Sequence, residues 1–448
     1  MIFTAIFIIA AVAYGVWRYR VVSTTRVETE SSVVEAKAGK TKPLHNPHFS
    51  LSVLLFEAQS ENVEVQLLAS GITLEIIQLV TKVPDIRVGS RLSAYQFRSG
   101  KADIQKIARQ LNTRYVLTGS LKRVGDQIGV IAQLTDVTAN KEIWTQTYDH
   151  EIDDLFAVKD DIVKCIVGAV LGEVKLVESL FAEATPTWKL DAWGLVQKAY
   201  HFWLTNFSAE GILEACEYLR QAIAIEPGYA NARAALAMLL AQQMTTRICE
   251  DYDACTREAR DLIETAYQQA PNDIDVLENA GVTWQNLGEA ERATKALRKA
   301  VELAPLNLIS RGYLALLLSF TGGERGAKEA QQIIYENFAT APSHPSVPYW
   351  MFFLAVAEQR LGNSDTAIDL AKQSLAGQPM WVHNYFIIAN AYCLVDDRES
   401  AFNALREAAN INSVLTAQLF AENVYRIVGG RDKAEPFVGG LRKHKLVE

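Results

Sequence analysis

The chain is short of the residue types that carry most metal and redox chemistry. Its 448 residues include seven histidines and five cysteines. No CxxC pair is present and no two histidines stand at ligand spacing on a predicted helix, so we expect no metal site. The five cysteines are too few and too dispersed for a disulfide framework, although a bridge could form between Cys249 and Cys255 in an oxidising compartment.

The sequence also lacks the signals of nucleic-acid binding and of catalysis. A net charge of −8 and a pI near 5.6 leave no basic surface of the kind that binds phosphate backbones. A nucleophile elbow, an HExxH pair, a Walker loop and a dinucleotide-binding GxGxxG are all missing from a fitting context. We therefore predict that the protein is not an enzyme and that it has no cofactor and no nucleic-acid partner.

One long uncharged run stands at residues 2–17. As a helix it would reach about 24 Å, slightly less than the roughly 30 Å hydrocarbon core of a bilayer. Trp17, Arg18, Tyr19 and Arg20 follow it, which is the aromatic and cationic flank of an interfacial anchor. We predict a retained single-pass transmembrane anchor at residues 1–20. The alternative is a signal peptide cleaved after Ala13, but no positively charged region precedes the apolar run.

The flanking charges predict which side of the membrane holds the rest of the chain. Arg18, Arg20 and Arg26 follow the apolar run, and the positive-inside rule then places the following domains in the cytoplasm. Long domains can nevertheless cross a membrane regardless of charge, so the periplasm stays open. Residues 21–49 show little periodicity and are predicted to be a tether.

Residues 50–182 alternate short apolar runs with helical periodicity. Their order predicts two strand–helix units, then three antiparallel strands and a long helix, which is an α/β sandwich. The predicted elements, in chain order, are Leu51–Glu57, Val63–Val83, Ile86–Val88, Ala102–Leu111, Tyr115–Arg123, Gln127–Asp136, Glu142–His150 and Asp153–Leu180.

Residues 186–448 carry a repeated helix-pair pattern. In Ile274–Asn307, small residues stand where two antiparallel helices touch, large residues fill the gaps around them, and a proline ends the second helix. These positions are Leu277, Ala280, Gly281, Trp284, Gly288, Ala293, Leu297, Ala300 and Pro305. The segment resembles a tetratricopeptide (TPR) repeat, and Val382–Val414 largely repeats it. Looser copies predict an all-α TPR solenoid of about six repeats, followed by a capping helix pair from Ala417 to Lys443.

Stacked TPR repeats form a superhelix whose first helices line a concave groove, and we expect a protein or peptide partner to bind there. Lysine is missing from the fifth position of three first helices, which argues against a basic clamp and favours aromatic anchors with amide hydrogen bonds. The alternative is that Phe352 and Phe386 pack between repeats as core residues. The predicted groove residues are Glu278, Val282, Gln285, Phe352, Val356, Gln359, Phe386 and Asn390.

Three segments of the α/β part, YVLTGSLKR, IAQLTD and IWTQTYD, carry a further resemblance. From about Ser50 to Gly172 the chain resembles the TolB-N/FlgO-like domain of membrane-bound bacterial regulators, where that domain stands before TPR repeats. The chain departs from the family at Leu55, where the family usually has a proline, and at Gln59–Asn62, which replaces a Ser-Gly-Asp loop.

The resemblance implies a signalling protein of the bacterial inner membrane, and it favours the periplasmic side. In the family a cyclase or DNA-binding domain often precedes the membrane segment, and none precedes it here. Two functions are therefore predicted. One is a membrane-anchored scaffold that binds a partner through its TPR groove. The other is a non-catalytic sensory subunit of an adenylate cyclase or transcription regulator encoded on a separate chain.

Overall fold

The computed structural model describes residues 49–60, 62–81, 86–89, 104–125, 127–151, 155–185, 187, 190–205, 209–249, 251–342 and 344–448. The predicted anchor at residues 1–20 and all of the predicted tether except Phe49 lie outside these residues. The described chain forms two compact units, one reaching Val174 and the other beginning at Lys175. The long helix Leu155–Ala184 contributes to both.

The first unit is built on one mixed sheet. Its order is β3-β1-β4-β5-β6, with β2 paired to β4, and the last three strands form an antiparallel meander while β1 lies parallel to β3 and β4. The helices and strands follow the predicted order. They are β1 (Phe49–Val53), β2 (Glu57–Ala58), α1 (Val63–Val80), β3 (Ile86–Val88), α2 (Ile104–Leu111), β4 (Tyr115–Val124), β5 (Gln127–Asp136), β6 (Lys141–Glu151) and α3 (Leu155–Ala184).

The first strand differs from its prediction, because it is interrupted. Val53 pairs with Leu117 and Glu57 with Ser120, so one strand advances four residues while its partner advances three. The extra residue breaks the predicted strand Leu51–Glu57 into β1 and β2. Close by, the ring of Phe56 lies on Gly119, where a Cβ atom would come within 2.1 Å of it. The glycine of the YVLTGSLKR segment thus leaves room for a buried aromatic ring.

Among the described residues, α1 is the one helix whose length and apolar composition would be sufficient to cross a membrane. It packs against β1, β2, β3 and β4, and it buries Ile72 and Ile76 completely. Its apolar character is accounted for by this contact with the sheet, since a helix hydrophobic over much of its surface is normally buried.

The second unit consists of antiparallel helix pairs, as the repeat pattern predicts. Six pairs follow the end of α3, and one further pair comes last. They are α4 (Ala192–Thr205) with α5 (Ala209–Ile225), α6 (Ala230–Thr246) with α7 (Tyr252–Gln269), α8 (Ile274–Asn286) with α9 (Ala290–Leu303), α10 (Leu308–Thr321) with α11 (Gly323–Thr340), α12 (Val347–Arg360) with α13 (Ser364–Gly377), α14 (His383–Leu394) with α15 (Arg398–Ile411), and α16 (Ala417–Val428) with α17 (Glu435–Lys443).

The third pair shows why small residues are needed where the helices cross. A Cβ atom on Gly281 of α8 would lie 2.4 Å from Cγ of Leu297 on α9, so only glycine allows this approach. Trp284 fills the space beside the crossing and is almost completely buried. Pro305 follows α9, and Asn307 then caps α10 by accepting the backbone N–H groups of Ile309 and Ser310. The third pair is thus held by contacts between residues close in sequence.

The connection in the second pair is short. Helix α6 continues to Thr246 and ends at Arg247, which has a φ of 56°, and α7 begins at Tyr252. Cys255 therefore lies in the first turn of α7 and only Cys249 lies in the connection. Both are free thiols in this structure.

Candidate functional site

The last helix pair lies against the inner face of the repeats. Helix α16 packs on α6, α8, α10 and α14, and α17 packs on α12 and α14. All of these are first helices of their pairs, and first helices line the concave side of a TPR superhelix. The sequence predicted this pair as a cap. In the structure it packs on the face where the same sequence predicts a partner-binding groove.

Helix α16 contacts both α14 and α6, which lie at opposite ends of the set of first helices it packs on. Near its start, the ring of Phe420 stacks on Phe386 of α14, with centroids 4.9 Å apart and an interplanar angle of 15°. One turn later, Asn423 donates its amide to the backbone carbonyl of Thr245 at the end of α6, at 2.6 Å. Arg426 then donates to the hydroxyl of Tyr252 at 2.8 Å. The helix thus links the second pair to the sixth.

Helix α17 is held by the side-chain amide of Asn390 on α14. Its Nδ2 donates to the carbonyl of Pro436 at 3.0 Å, and its Oδ1 accepts the backbone N–H of Gly440 at 2.9 Å. Asn390 is completely buried. The amide hydrogen bonds of Asn390 are made to the chain's own last helix. Its predicted bonds to a partner stay a prediction.

Arg360, at the end of α12, holds the same helix from the other side. Its guanidinium carbon lies 4.5 Å from the ring centroid of Phe437, and Nη1 donates to the carbonyl of Lys433 at 3.1 Å. The guanidinium also donates to the carbonyls of Ser319 and Phe320 at the end of α10. Loss of water on burial lowers its pKa from the ordinary value. One side chain therefore joins two repeats and the last helix pair.

The other predicted groove residues are buried or half-buried in this arrangement. The ring of Phe352 lies 4.4 Å from Trp381, and Phe352 is 5% exposed, as expected if it packs between repeats. Phe386 is 1% exposed beneath Phe420. Their role as anchors for a partner stays a prediction. Four other predicted groove residues are also buried: Glu278, Gln285, Val356 and Gln359. Val282 is half-buried.

Gln359 shows an unusual polar burial. It is 1% exposed, and neither its Oε1 nor its Nε2 has a hydrogen-bond partner. It is placed seven residues after Phe352 and three after Val356, which puts all three on one side of α12. A buried amide that makes no hydrogen bond costs free energy of folding.

Replacing Gln359 with methionine is expected to raise the free energy of unfolding by about 1–3 kcal/mol, since the change removes two unpaired buried polar atoms and keeps the side-chain shape. Urea unfolding of the full chain measures it. Gln332→Met is the matched control, because Gln332 is exposed and we expect a change within about 0.5 kcal/mol. A loss of stability in Gln359→Met would show that the amide is paired in solution.

Glu278 on α8 is the centre of a buried polar cluster. Its carboxyl group accepts from Asn307 Nδ2 at 2.9 Å and from the hydroxyl of Ser310, so it ties α8 to the start of α10. Burial is the largest cause that raises the pKa of Glu278 to about 7. The positive charge of Lys175 and the hydrogen bonds from Ser310 and Asn307 act against this rise, and the negative charge of Asp275 adds to it. The carboxyl group is thus close to half-protonated near neutral pH.

A hydrogen-bonded network adjoins this carboxyl group. Lys175 pairs with Asp275 at 3.1 Å, and Asp275 accepts from Asn231 at 3.2 Å. Asn279 Nδ2 donates to the hydroxyl of Tyr200 at 2.8 Å and to Asn231 Oδ1 at 3.3 Å. Within the described ranges, no three histidine, cysteine, aspartate or glutamate side chains are placed to hold a metal ion. The network joins α4, α6 and α8 and has the geometry of a structural cluster.

Sequence reasoning missed four residues that hold the last helix pair: Arg360, Asn423, Arg426 and Gly440. Three are polar residues on helices whose partners lie far away in sequence, so periodicity gives no signal for them. Gly440 does carry one, because Gly439 and Gly440 stand inside a helical segment, and glycine there usually has a packing reason.

A model of the tetratricopeptide repeat family matches residues 274–305. These residues correspond to α8 and α9. The match confirms the resemblance in the segment where the sequence pattern is strictest.

The chain is also similar to a curated protein, "Putative adenylate cyclase 3" of Rhizobium meliloti (strain 1021). The two are 32% identical over 190 residues, which cover 42% of this chain and 32% of that protein. The similarity thus spans about a third of the length of the curated relative.

Solved structures of repeat proteins resemble the fold. The structure titled "Functional Characterization of Pseudomonas Aeruginosa pilF" is 16% identical, with 50% of this chain and 92% of that chain covered and a TM-score of 0.32. A tetratricopeptide repeat protein from Parabacteroides merdae ATCC 43184 is 17% identical. The match covers 57% of this chain and 92% of that chain, with a TM-score of 0.33. These likenesses concern the fold and carry no argument about function. Residues 274–305 of this chain are a tetratricopeptide repeat, set in a TPR-like helical solenoid that follows a small sheet region.

Proposed function

We propose that the protein is a membrane-anchored protein–protein interaction scaffold, and that the inner face of its repeats binds a helical segment of a partner protein. One observation carries the proposal: this face already holds a helix pair through aromatic, amide and guanidinium side chains of the first helices. Concave repeat surfaces commonly bind partners, and grooves between helices accept amphipathic helices. The proposal assigns the chain no catalytic step, no cofactor and no nucleic-acid partner.

Purification from detergent-solubilised membranes tests the scaffold. The tagged full chain serves as bait, and the proteins bound to wild type are identified and quantified against two variants. Gln359→Met changes the inner face, and we expect it to lose the partner without losing stability. Phe402→Ala is the control, since Phe402 is 46% exposed on α15, a second helix. Equal capture by all three chains would mean that the partner does not use the inner face. If wild type captures no partner, the scaffold proposal fails.

Membrane attachment is a separate part of the proposal. The full chain is expected to sediment with membranes and to stay there through high-salt and carbonate washes, because an uncharged, mainly apolar run of sixteen residues in the bilayer is not held by screened electrostatic contacts. Deleting residues 1–20 should yield a soluble chain with the same circular dichroism spectrum. A full-length product recovered in the soluble fraction with a mature N-terminus near Tyr14 would replace the anchor by a cleaved signal peptide.

We place the two units in the cytoplasm, on the strength of Arg18, Arg20 and Arg26. Cys249 and Cys255 are then expected to be reduced in freshly lysed cells. Burial and the neighbouring thiol of Cys255 raise the pKa of Cys249 to about 12, so native alkylation would be slow. Cells should therefore be quenched directly into denaturant with an alkylating agent, and the masses of the cysteine peptides measured. A bridged pair would favour the periplasm.

The second candidate function is a sensory subunit of an adenylate cyclase or a transcription regulator on another chain. It is supported by the 32% identity to a protein named as a putative adenylate cyclase. In this proposal the first unit is a TolB-N/FlgO-like domain. Cyclic AMP formation in the purified membrane complex, absent from the chain alone, would favour this function over a general scaffold.

A further inference from the structure

We propose that α16 and α17 are a displaceable occupant of the inner face, and that the partner is a helical segment which copies the contacts of α17. Such a segment carries a glycine where it meets Asn390 and, three residues earlier, an aromatic ring that enters between Phe320 and Arg360. The inference rests on the proposed function and specifies the chemistry of its partner. Three observations carry it.

The first is that Asn390 contacts the backbone of its bound helix. The carbonyl of Pro436 and the N–H of Gly440, four residues apart, are the groups that pair with each other in an α-helix, and the Asn390 amide bonds to both. A Cβ atom at position 440 would lie 2.4 Å from the carbonyl oxygen of Asn390 and 2.9 Å from Cβ of Cys393. The contact is therefore made to backbone atoms of the bound helix and requires glycine at this point.

The second observation is an aromatic site one helical turn away. Phe437 is fully buried, with its ring centroid 4.8 Å from that of Phe320 and 4.5 Å from the guanidinium carbon of Arg360. Phe437 and Gly440 are three residues apart, so they lie on one side of α17. A ring and a glycine at this spacing form the recognition pattern.

The third observation is that α17 has little stability of its own. It is nine residues long and contains Gly439 and Gly440. Isolated helices of that length are marginal in water, and glycine lowers helix propensity further. The groups that hold it, Asn390, Arg360 and Phe320, belong to the repeats and stay in place when the helix leaves. A competing helix therefore finds a complete site.

The two adjacent glycines provide a matched pair of variants. Alanine at either position adds the same helix propensity. At position 440 the new Cβ meets the backbone of α14, whereas at position 439 it meets the carboxylate end of Glu435, a flexible side chain, at 2.5 Å. In the full chain, Gly440→Ala should expel α17 from Asn390, and Gly439→Ala should leave it bound.

The probe is a fluorescein-labelled synthetic peptide of wild-type residues 431–448, which contains α17 without α16. We expect Gly440→Ala to bind it at least tenfold more tightly than wild type or Gly439→Ala does, because its own helix no longer competes. Hydrogen exchange of backbone amides 435–443 should be at least tenfold faster in Gly440→Ala. The double variant Gly440→Ala/Asn390→Ala should lose peptide binding. If Gly440→Ala does not fold, Phe437→Ala removes the ring instead and leaves the face intact.

Two results would overturn the inference. One is unchanged exchange in both tail variants, which would mean that α17 is a fixed part of the solenoid. The other is faster exchange without tighter peptide binding, which would mean that the face does not accept a helix from another molecule. A partner captured equally by wild type and Gly440→Ala would contradict the competition while leaving the scaffold intact. Peptide binding without any captured partner would support the competition and contradict the scaffold proposal.

Discussion

Replacing Trp284 with alanine is expected to lower the free energy of unfolding by about 3–5 kcal/mol, the usual cost of removing a buried tryptophan or phenylalanine. Trp284 is 2% exposed and meets Tyr267 edge to face, with centroids 5.0 Å apart. The guanidinium carbon of Arg292 lies 4.1 Å from the centre of its ring. The backbones on both sides are fixed by the helix pair, so the cavity cannot close. Urea unfolding of the full chain gives the value.

The two predicted groove aromatics are compared with this variant. Phe352 and Phe386 are enclosed by Trp381 and Phe420, so we expect their alanine variants to lose stability on the same scale. Phe402→Ala, on the exposed side of α15, should stay within about 0.5 kcal/mol of wild type. If Phe352→Ala and Phe386→Ala melted like wild type but weakened partner binding by about 2 kcal/mol, the rings would be partner anchors that do not pack as described.

Glu278→Gln is expected to stabilise the protein by about 3 kcal/mol at pH 8 and to change its stability little at pH 4. The folded-state pKa of Glu278 is about 7, above the ordinary value of 4.5, so the folded chain binds the proton more tightly than the unfolded chain. Wild-type stability from this group is complete below pH 4.5 and is lost as the pH rises through 7. Glutamine keeps an oxygen that accepts from Asn307 and Ser310 and carries no charge.

The test measures the free energy of unfolding of wild type and of Glu278→Gln at each pH and takes the difference between the two. Burial lowers the pKa of His344 to about 3 and that of His383 to about 4, which destabilises both proteins equally below pH 6.5. Those losses cancel in the difference. If the difference in free energy of unfolding did not depend on pH, the pKa of Glu278 would be the same in the folded and unfolded chains. Water would then reach its carboxyl group between α8 and α10.

The helix pairs could be predicted from sequence because their contacts are local. Gly281 touches Leu297 only sixteen residues later, so the spacing of small and large residues reports the crossing directly. The meander of β4, β5 and β6 is local in the same sense, since each strand pairs with the next. The break between β1 and β2 was missed because it depends on the pairing with β4, and the uninterrupted apolar run gave no sign of it.

The position of the last helix pair could not be predicted from the pattern. Its helices were recognised by their periodicity, and counting along the first helices placed Asn390 on the inner face. Periodicity shows which side of a helix is apolar, but it does not identify the surface that covers that side. The covering contacts join Asn423 to Thr245 and Arg426 to Tyr252, across more than 170 residues. Contacts of that separation leave no trace in a local window.

The same separation sets an order of events during synthesis. Asn423 follows Thr245 by 178 residues, and chains are made at about 5–20 residues per second, with early parts folding first. For roughly 10–35 s after Thr245 is made, the early repeats therefore have an inner face that their own last helices do not yet cover. The site formed by Phe320, Arg360 and Asn390 is complete only once Asn390 has been made, and Gly440 follows Asn390 by 50 residues. A partner present at the ribosome therefore meets that site uncovered for roughly 2.5–10 s. A partner that arrives later has to compete with α16 and α17, so the time at which the two proteins are made bears on how much complex forms.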